Sequence, residues 1–203
     1  DYTKGILERF MAVERMLELH PELVGRFSFI QIAAPSRSVL EEYQAFEARV
    51  HSLADRINGR FTRDGRQAII IKAKHHEPEE VNRYYCAADV CMVTSLHDGM
   101  NLVAKEFVAA RDDERGALVL SQFTGAAHEL YEALIVNPYH VEHTAEALYQ
   151  ALNMPEYEQR ERMRSMRSQV RDFNVYRWAG RMLLDAARVR QREKLAARIG
   201  HNS

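Results

Sequence analysis

Cysteine is nearly absent from this chain, which holds only Cys86 and Cys91 among its 203 residues. Two thiols exclude the disulfide framework of a small secreted domain, and both read as small buried hydrophobes. Charge of one sign is also lacking. Lys and Arg number 28 against 29 Asp and Glu, a formal net charge of -1. A nucleic-acid-binding domain shows a strong basic excess, so that class is excluded. No apolar run approaches the roughly 20 residues that span a bilayer. The amino-terminal residues carry no basic-then-apolar leader. Internal repeats and low-complexity linkers are missing too. What remains is ordinary globular composition, 46% hydrophobic and 28% charged, with length for one large or two small domains and a real core. The chain reads as cytoplasmic, with no nucleic acid or membrane as partner.

Hydrophobic patterning alternates strand and helix, the signature of a parallel sheet covered by helices. Ile6 to Leu19 has apolar residues at helical spacing and stops at Pro21. Phe27 to Ala33 reads as a strand, Val39 to Phe61 as a long helix broken around Gly59, and Ala68 to Lys72 as a buried strand. Glu79 to Ala88 is a helix and Val90 to Thr94 the next strand. Leu102 to Arg111 is helical. Leu118 to Ser121 and Leu134 to Val136 complete the strands, separated by the short segment Ala126 to Glu132. Helices at Glu156 to Asp172 and Tyr176 to Ala197 follow Pro155. The expected division is a Rossmann-like domain over residues 1–154 and closing helices over 155–203.

The chemistry concentrates in Asp98-Gly99-Met100-Asn101-Leu102-Val103-Ala104-Lys105-Glu106. A strand precedes it and a helix follows. Gly99 is expected to let the backbone bend where a side chain would clash. The amides after it open a helix amino terminus, a ready anion site. Asp98 and Glu106 stand on either side of that turn. Amides for phosphate and carboxylates for hydroxyls suit a nucleotide-linked sugar.

This run resembles the D-G-M-N-L-V-x-x-E signature of the trehalose-6-phosphate synthases, a retaining glycosyltransferase family. Three further stretches resemble the family in order. Asp1 to Ile6 (DYTKGI) is similar to its R-x-D-Y-T-K-G-I loop, and Gln31 to Arg37 (QIAAPSR) to its Q-I-A-x-x-S-R segment. Leu118 to Ala127, with Ala133 to Tyr139, is similar to its last two strand-loop units. The likeness extends to about Ala187.

The resemblance implies the carboxyl-terminal, donor-binding half of a two-domain GT-B-type fold, a Rossmann-like parallel sheet with helices on both faces. It implies transfer of glucose from UDP-glucose to glucose 6-phosphate with retention. Lys4 would neutralise the donor diphosphate and Asp98 would contact the transferred glucose, the two catalytic positions. Gly99 and the amides of Met100, Asn101, Leu102 and Val103 would hold phosphate or sugar oxygens. Glu106 would take the ribose, Tyr85 would lie beside the uracil, and Arg37 would receive the acceptor phosphate. No metal or cofactor is expected, UDP-glucose being a substrate.

The DYTKGI loop has no strand ahead of it here, and the family's arginine two positions before Asp1 is missing. The expectation is therefore a piece of a longer protein, with an amino-terminal domain as partner and no turnover alone. Self-association is left open. Each residue also has a plainer reading: Lys4 and Arg37 as solvated cations, Asp98 as a helix cap, Glu106 as an ion-paired surface group, Tyr85 as a core aromatic. A glucosylglycerol-phosphate-type acceptor remains open, as does a silent regulatory homologue, though the latter has no need of Lys4, Asp98 and Glu106 together. His97 and Ser95 stand where many relatives carry arginine and proline. Adjacent His75 and His76 would point to opposite faces of a strand, which disfavours a shared metal. The arginine-rich stretch Arg160 to Arg171 reads as a solvated helix.

Overall fold

Every pair of strands in this fold is parallel. The structure is a computed structural model, and it describes residues 2–33, 41–173 and 175–200, without the side chains of 175, 176, 178 and 192–200. Five strands occur among these residues: β1 (Phe29–Ala33), β2 (Ile69–Ala73), β3 (Val90–Val93), β4 (Ala117–Ser121) and β5 (Leu134–Val136). They form two sheets instead of one, β1-β2 and β3-β4-β5. Phe29 registers with Ile69, and Val90 with Ala117.

Seven α-helices among the described residues connect and cover them: α1 (Ile6–Leu19), α2 (Glu41–Phe61), α3 (Pro78–Ala87), α4 (Leu102–Ala110), α5 (Val141–Leu152), α6 (Glu156–Asp172) and α7 (Val175–Gly200). Because successive strand residues face opposite ways, β4 serves two cores. Ala117 and Val119 pack with Phe10, Val13 and Leu17 of α1, with α2 and with α5. Leu118 and Leu120 pack with Phe107 and Val108 of α4 and with Met163 and Met166 of α6. Helices thus lie on both faces, as the sequence pattern predicts. None is long and apolar enough to cross a membrane.

Three local features differ from the sequence reading. The expected break at Gly59 does not occur, and α2 runs to Phe61. Gly59 is exposed in open space, so it weakens the helix by about 0.5–1 kcal/mol relative to alanine while the buried stripe of Val50, Ala54 and Ile57 holds it together. Helix α5 is additional to the elements read from sequence. Its buried face is mostly alanine and its amino end is capped by the His140 Nδ1, which accepts from the His143 amide at 3.1 Å. Neither signal is among the usual ones. Cys86 is exposed on α3, not buried as expected, whereas Cys91 is half-buried in β3. The arginines of α6 pair with carboxylates as the charge pattern predicts: Arg160 reaches Glu156 at 2.6 Å and Arg164 reaches Glu114 at 2.6 Å.

Candidate active site

In a parallel arrangement, the loops that follow strands gather at one end. The loop after β3 carries Asp98, and the loop after β4 carries Phe123 to Gly125. The two are laced together: the Asp98 amide donates to the Phe123 carbonyl at 3.2 Å, the Gly125 amide to the Asp98 carbonyl at 3.0 Å, and the Ala126 amide to the Met100 carbonyl at 2.9 Å. A third segment joins them. Tyr2 to Lys4 forms one turn of 3-10 helix, and the Leu96 amide donates to the Thr3 carbonyl at 2.8 Å.

Gly5 and Gly125 are the glycines that permit this packing. Gly5 has φ 63°, and a Cβ there would lie 2.2 Å from the Thr94 carbonyl oxygen. A Cβ on Gly125 would lie 2.2 Å from the Gly99 carbonyl oxygen. Gly99 itself is not in the left-handed region, and a Cβ there would meet nothing within 4 Å. The expected clash at Gly99 is therefore corrected: the bend is enforced from the neighbouring loop, and the space above Gly99 is open. The left-handed residue of the turn is Asn101, at φ 67°.

Lys4 and Asp98 meet directly. The Lys4 Nζ donates to Asp98 Oδ2 at 3.0 Å, with the lysine side chain half exposed. Asp98 Oδ1 also accepts the amides of Asn101 at 3.1 Å and Met100 at 3.4 Å, and Oδ2 accepts from Asn101 Nδ2 at 3.2 Å. Asn101 then caps α4, its Oδ1 accepting the Ala104 amide at 3.0 Å. Two of the four amides expected to face a ligand, those of Met100 and Asn101, thus serve the Asp98 carboxylate. The amides of Leu102 and Val103 have no acceptor among the described residues. Met100, Leu102 and Val103 expose their apolar side chains around them. These are the positions where an anion would complete the helix terminus.

Glu106 lies one turn into α4 and is exposed. Its Oε2 accepts from the Tyr85 hydroxyl at 3.2 Å. Burial, reinforced by the nearby Cys91 and Glu106, pushes the Tyr85 phenol up from its ordinary value, so it remains a donor. Tyr85 also packs edge-on against Phe107. It therefore satisfies the core reading and touches Glu106 as well. Arg37 lies outside the described residues.

Two arginines that the sequence reading passed over brace the fold, Arg9 at this end and Arg111 ahead of β3 at the other. Arg9 of α1 is buried, donating through Nη2 to the Lys4 carbonyl at 2.9 Å, through Nε to Thr94 Oγ1 at 3.0 Å and through Nη1 to Gln31 Oε1 at 2.8 Å. It ties the Lys4 turn to the middle of β1 and to the residue that follows β3, and burial lowers its pKa to about 10. Its signal was present: Arg9 falls on the apolar face that Phe10 and Val13 define, where an arginine needs partners. Arg111 donates through Nη1 to the carbonyls of Tyr85, Cys86 and Ala88 at 2.7–2.8 Å. It closes the carboxyl end of α3 and fixes Tyr85. No sequence signal marks it.

Asp98 carries a pH prediction. Partial burial works against its ionisation, but the Lys4 ion pair and the hydrogen bonds from Met100 and Asn101 outweigh it and hold the carboxyl below its usual value. A folded pKa below the unfolded one stabilises above the unfolded value, near 3.9, and the stabilisation is lost as pH falls through the folded value. Melting temperature measured against pH should fall less steeply below about pH 4 in Asp98→Asn than in the native chain. Parallel curves would remove Asp98 from the acid response.

The chain as a whole is similar to known proteins. The glycosyltransferase family 20 profile matches residues 1–188. The chain belongs to that family. An α,α-trehalose-phosphate synthase [UDP-forming] of Pichia angusta is 41% identical over 189 residues, 93% of this chain and 40% of that one. A glucosylglycerol-phosphate synthase of Pseudomonas anguilliseptica is 42% identical over 185 residues, 90% of this chain and 24% of its own length. Among solved structures, the UDP-forming α,α-trehalose-phosphate synthase of Burkholderia xenovorans in complex with glucose 6-phosphate superposes with a TM-score of 0.88 at 45% identity. That superposition covers 91% of this chain and 41% of the other. This family 20 chain therefore spans about two fifths of the trehalose-phosphate synthases it matches. A glycosyltransferase family and parallel strands flanked by helices were both expected from the sequence.

Proposed function

We propose that this chain is the sugar-nucleotide-binding part of an enzyme that moves glucose from UDP-glucose to glucose 6-phosphate, forming trehalose 6-phosphate and UDP. The observation that carries this reading is the Lys4–Asp98 pair beside the unpartnered amides of Leu102 and Val103, at the carboxyl end of parallel strands. A half-exposed ion pair of this kind is worth about 1 kcal/mol or less. Lys4 is therefore cheaply released from Asp98 to a diphosphate, which offers more charge. The acceptor hydroxyl forms its bond to the anomeric carbon on the face from which the diphosphate departs, and the departing oxygens take its proton. Retention follows from that same-face exchange. The protein contributes position and charge: Lys4 and the α4 amides stabilise the negative charge that grows on the leaving group.

Glu106 is assigned to the ribose, remote from the bond that breaks. Contacts that are equal in ground and transition states govern binding and not turnover. Glu106→Gln should therefore raise KM for UDP-glucose by roughly tenfold, the value of one charge-assisted hydrogen bond, with kcat nearly unchanged. Steady-state kinetics decide it; a fall in kcat at constant KM would move Glu106 into the reacting centre.

Residues 1–188 grafted in place of the matching segment of the Pichia angusta relative test the function directly. The chimera should form trehalose 6-phosphate from UDP-glucose and glucose 6-phosphate. A folded chimera that does not bind UDP would overturn the reading. The Pseudomonas anguilliseptica relative favours a second acceptor. If the same segment also supports glucosylglycerol phosphate formation in that protein, acceptor choice lies outside these residues.

A further inference from the structure

The packing of α1 does not call for an arginine at position 9. Arg9 is buried on the helix among Phe10, Val13 and Met16, residues of its core face. A charge taken out of water costs stability unless its partners offset the loss. All three described acceptors of the Arg9 guanidinium are neutral: the Lys4 carbonyl, the Thr94 hydroxyl and the Gln31 side-chain carbonyl. Stability alone does not explain such an ion. What it achieves is a junction, because the three acceptors stand on three separate segments. A guanidinium presents its donors in a rigid planar fork and spans them at once, whereas an ammonium is a point charge on a flexible stem.

The turn that carries Lys4 is gripped at three consecutive residues. The Thr3 carbonyl accepts the Leu96 amide, the Lys4 carbonyl accepts from Arg9, and Gly5 lies so close to Thr94 that a Cβ would sit 2.2 Å from its carbonyl oxygen. Each grip ends on residues 94–96, directly or through Arg9, and that segment leads to Asp98. The Lys4 side chain is half exposed, so its ammonium is aimed at Asp98 by the backbone behind it and not by packing around it. We infer that Arg9 is a positioning residue for the reaction proposed above: its fork fixes the Lys4 turn against the segment leading to Asp98, so that the lysine meets the departing diphosphate. Arg9 touches no substrate and acts through Lys4, an inference that rests on the donor role given to Lys4. Misplacing a group that stabilises a transition state by about 1 Å costs up to about a hundredfold in rate.

Two measurements test this, and one of them needs no turnover. In the 203-residue chain, hydrogen exchange of the Leu96 amide, followed by NMR, reports how firmly the turn is held. Arg9→Met should speed that exchange at least about tenfold, because three hydrogen bonds are lost together. Thr94→Val removes one acceptor, keeps the guanidinium and should speed it by a smaller factor. In the Pichia angusta chimera, Arg9→Met should lower kcat about thirtyfold while KM for UDP-glucose changes less than about threefold. The decisive comparison is the double variant. With Lys4→Ala already present, adding Arg9→Met should slow turnover by less than about threefold more, since the group through which Arg9 acts is gone. Losses that multiply instead would make Arg9 a merely structural or independent contributor and overturn the inference. Full activity in Arg9→Lys would overturn it too, because charge without the fork would then suffice. If Arg9→Met does not fold, Thr94→Val carries both measurements, and unchanged exchange with unchanged kcat in that variant would contradict the positioning role. A native chimera that binds no UDP would count against the proposed function, and Leu96 exchange would still decide whether Arg9 holds the turn.

Discussion

Lys4→Ala, placed in the Pichia angusta chimera, should lower kcat about a hundredfold, equivalent to roughly 3 kcal/mol of transition-state stabilisation. The reason is where the charge goes. The glycosidic bond breaks toward the diphosphate, so the cation nearest that diphosphate gains interaction energy as the reaction proceeds. In the structure the Lys4 ammonium pairs with Asp98 at 3.0 Å. Its backbone is meanwhile fixed by Arg9, which takes the Lys4 carbonyl at 2.9 Å. Removal of the ammonium should thus leave the fold nearly intact while slowing turnover. Lys4→Arg should recover part of the rate, because charge is retained and geometry is not. Rate constants from saturating UDP-glucose separate this from weakened binding. An unchanged kcat in Lys4→Ala would remove the lysine from the chemistry.

Gly125→Ala should damage both stability and ligand affinity, although residue 125 makes none of the proposed donor contacts. Its new Cβ would sit 2.2 Å from the Gly99 carbonyl oxygen and 3.0 Å from the Gly99 carbonyl carbon, both backbone atoms with no rotamer to change. One of the two laced loops has to move, and the hydrogen bonds from Gly125 to Asp98 and from Ala126 to Met100 move with it. Overpacking of this kind costs about 1–3 kcal/mol. For a chain of this length that is a loss of roughly 2–12 °C in Tm. Because Asp98 and the start of α4 shift together, UDP affinity should fall at least about tenfold. Gly99→Ala is the control: with nothing within 4 Å of its Cβ it should leave Tm nearly unchanged. The reverse order of effects, Gly99 sensitive and Gly125 tolerant in thermal melts, would mean the turn is not held from the β4 loop.

The sequence made the strands legible because buried parallel strands are short apolar runs, and Leu118 to Ser121 and Leu134 to Val136 are such runs. It made α1 and α4 legible through the stop at Pro21 and the strand-turn-helix order around Asp98. Helix α5 escaped because an alanine-rich face and a histidine cap are weak signals. Gly59 misled because an unfavourable propensity on an exposed face is outweighed by three buried residues. At the site, the residue types in Asp98 to Glu106 showed which groups matter but not their partners. The Met100 and Asn101 amides turn onto Asp98 as its local capping reading allows, whereas that Gly125 and not Gly99 shapes the turn depends on a loop some two dozen residues further along the chain. No local pattern encodes such a contact. Arg9 lies between these cases. A cation on an apolar helical face signals an internal hydrogen-bond hub, but only the fold shows that its partners are Lys4, Gln31 and Thr94.

The donor assignment is tested most directly by titrating UDP calorimetrically into the 203-residue chain and into its Lys4→Ala, Glu106→Gln double variant. One-to-one saturable binding is expected for the native chain. In the double variant it should be weakened at least about a hundredfold, because two charge-assisted contacts of about 1.5–3 kcal/mol each are removed. A folded native chain that takes up no UDP, or a double variant that binds it just as tightly, would contradict the account.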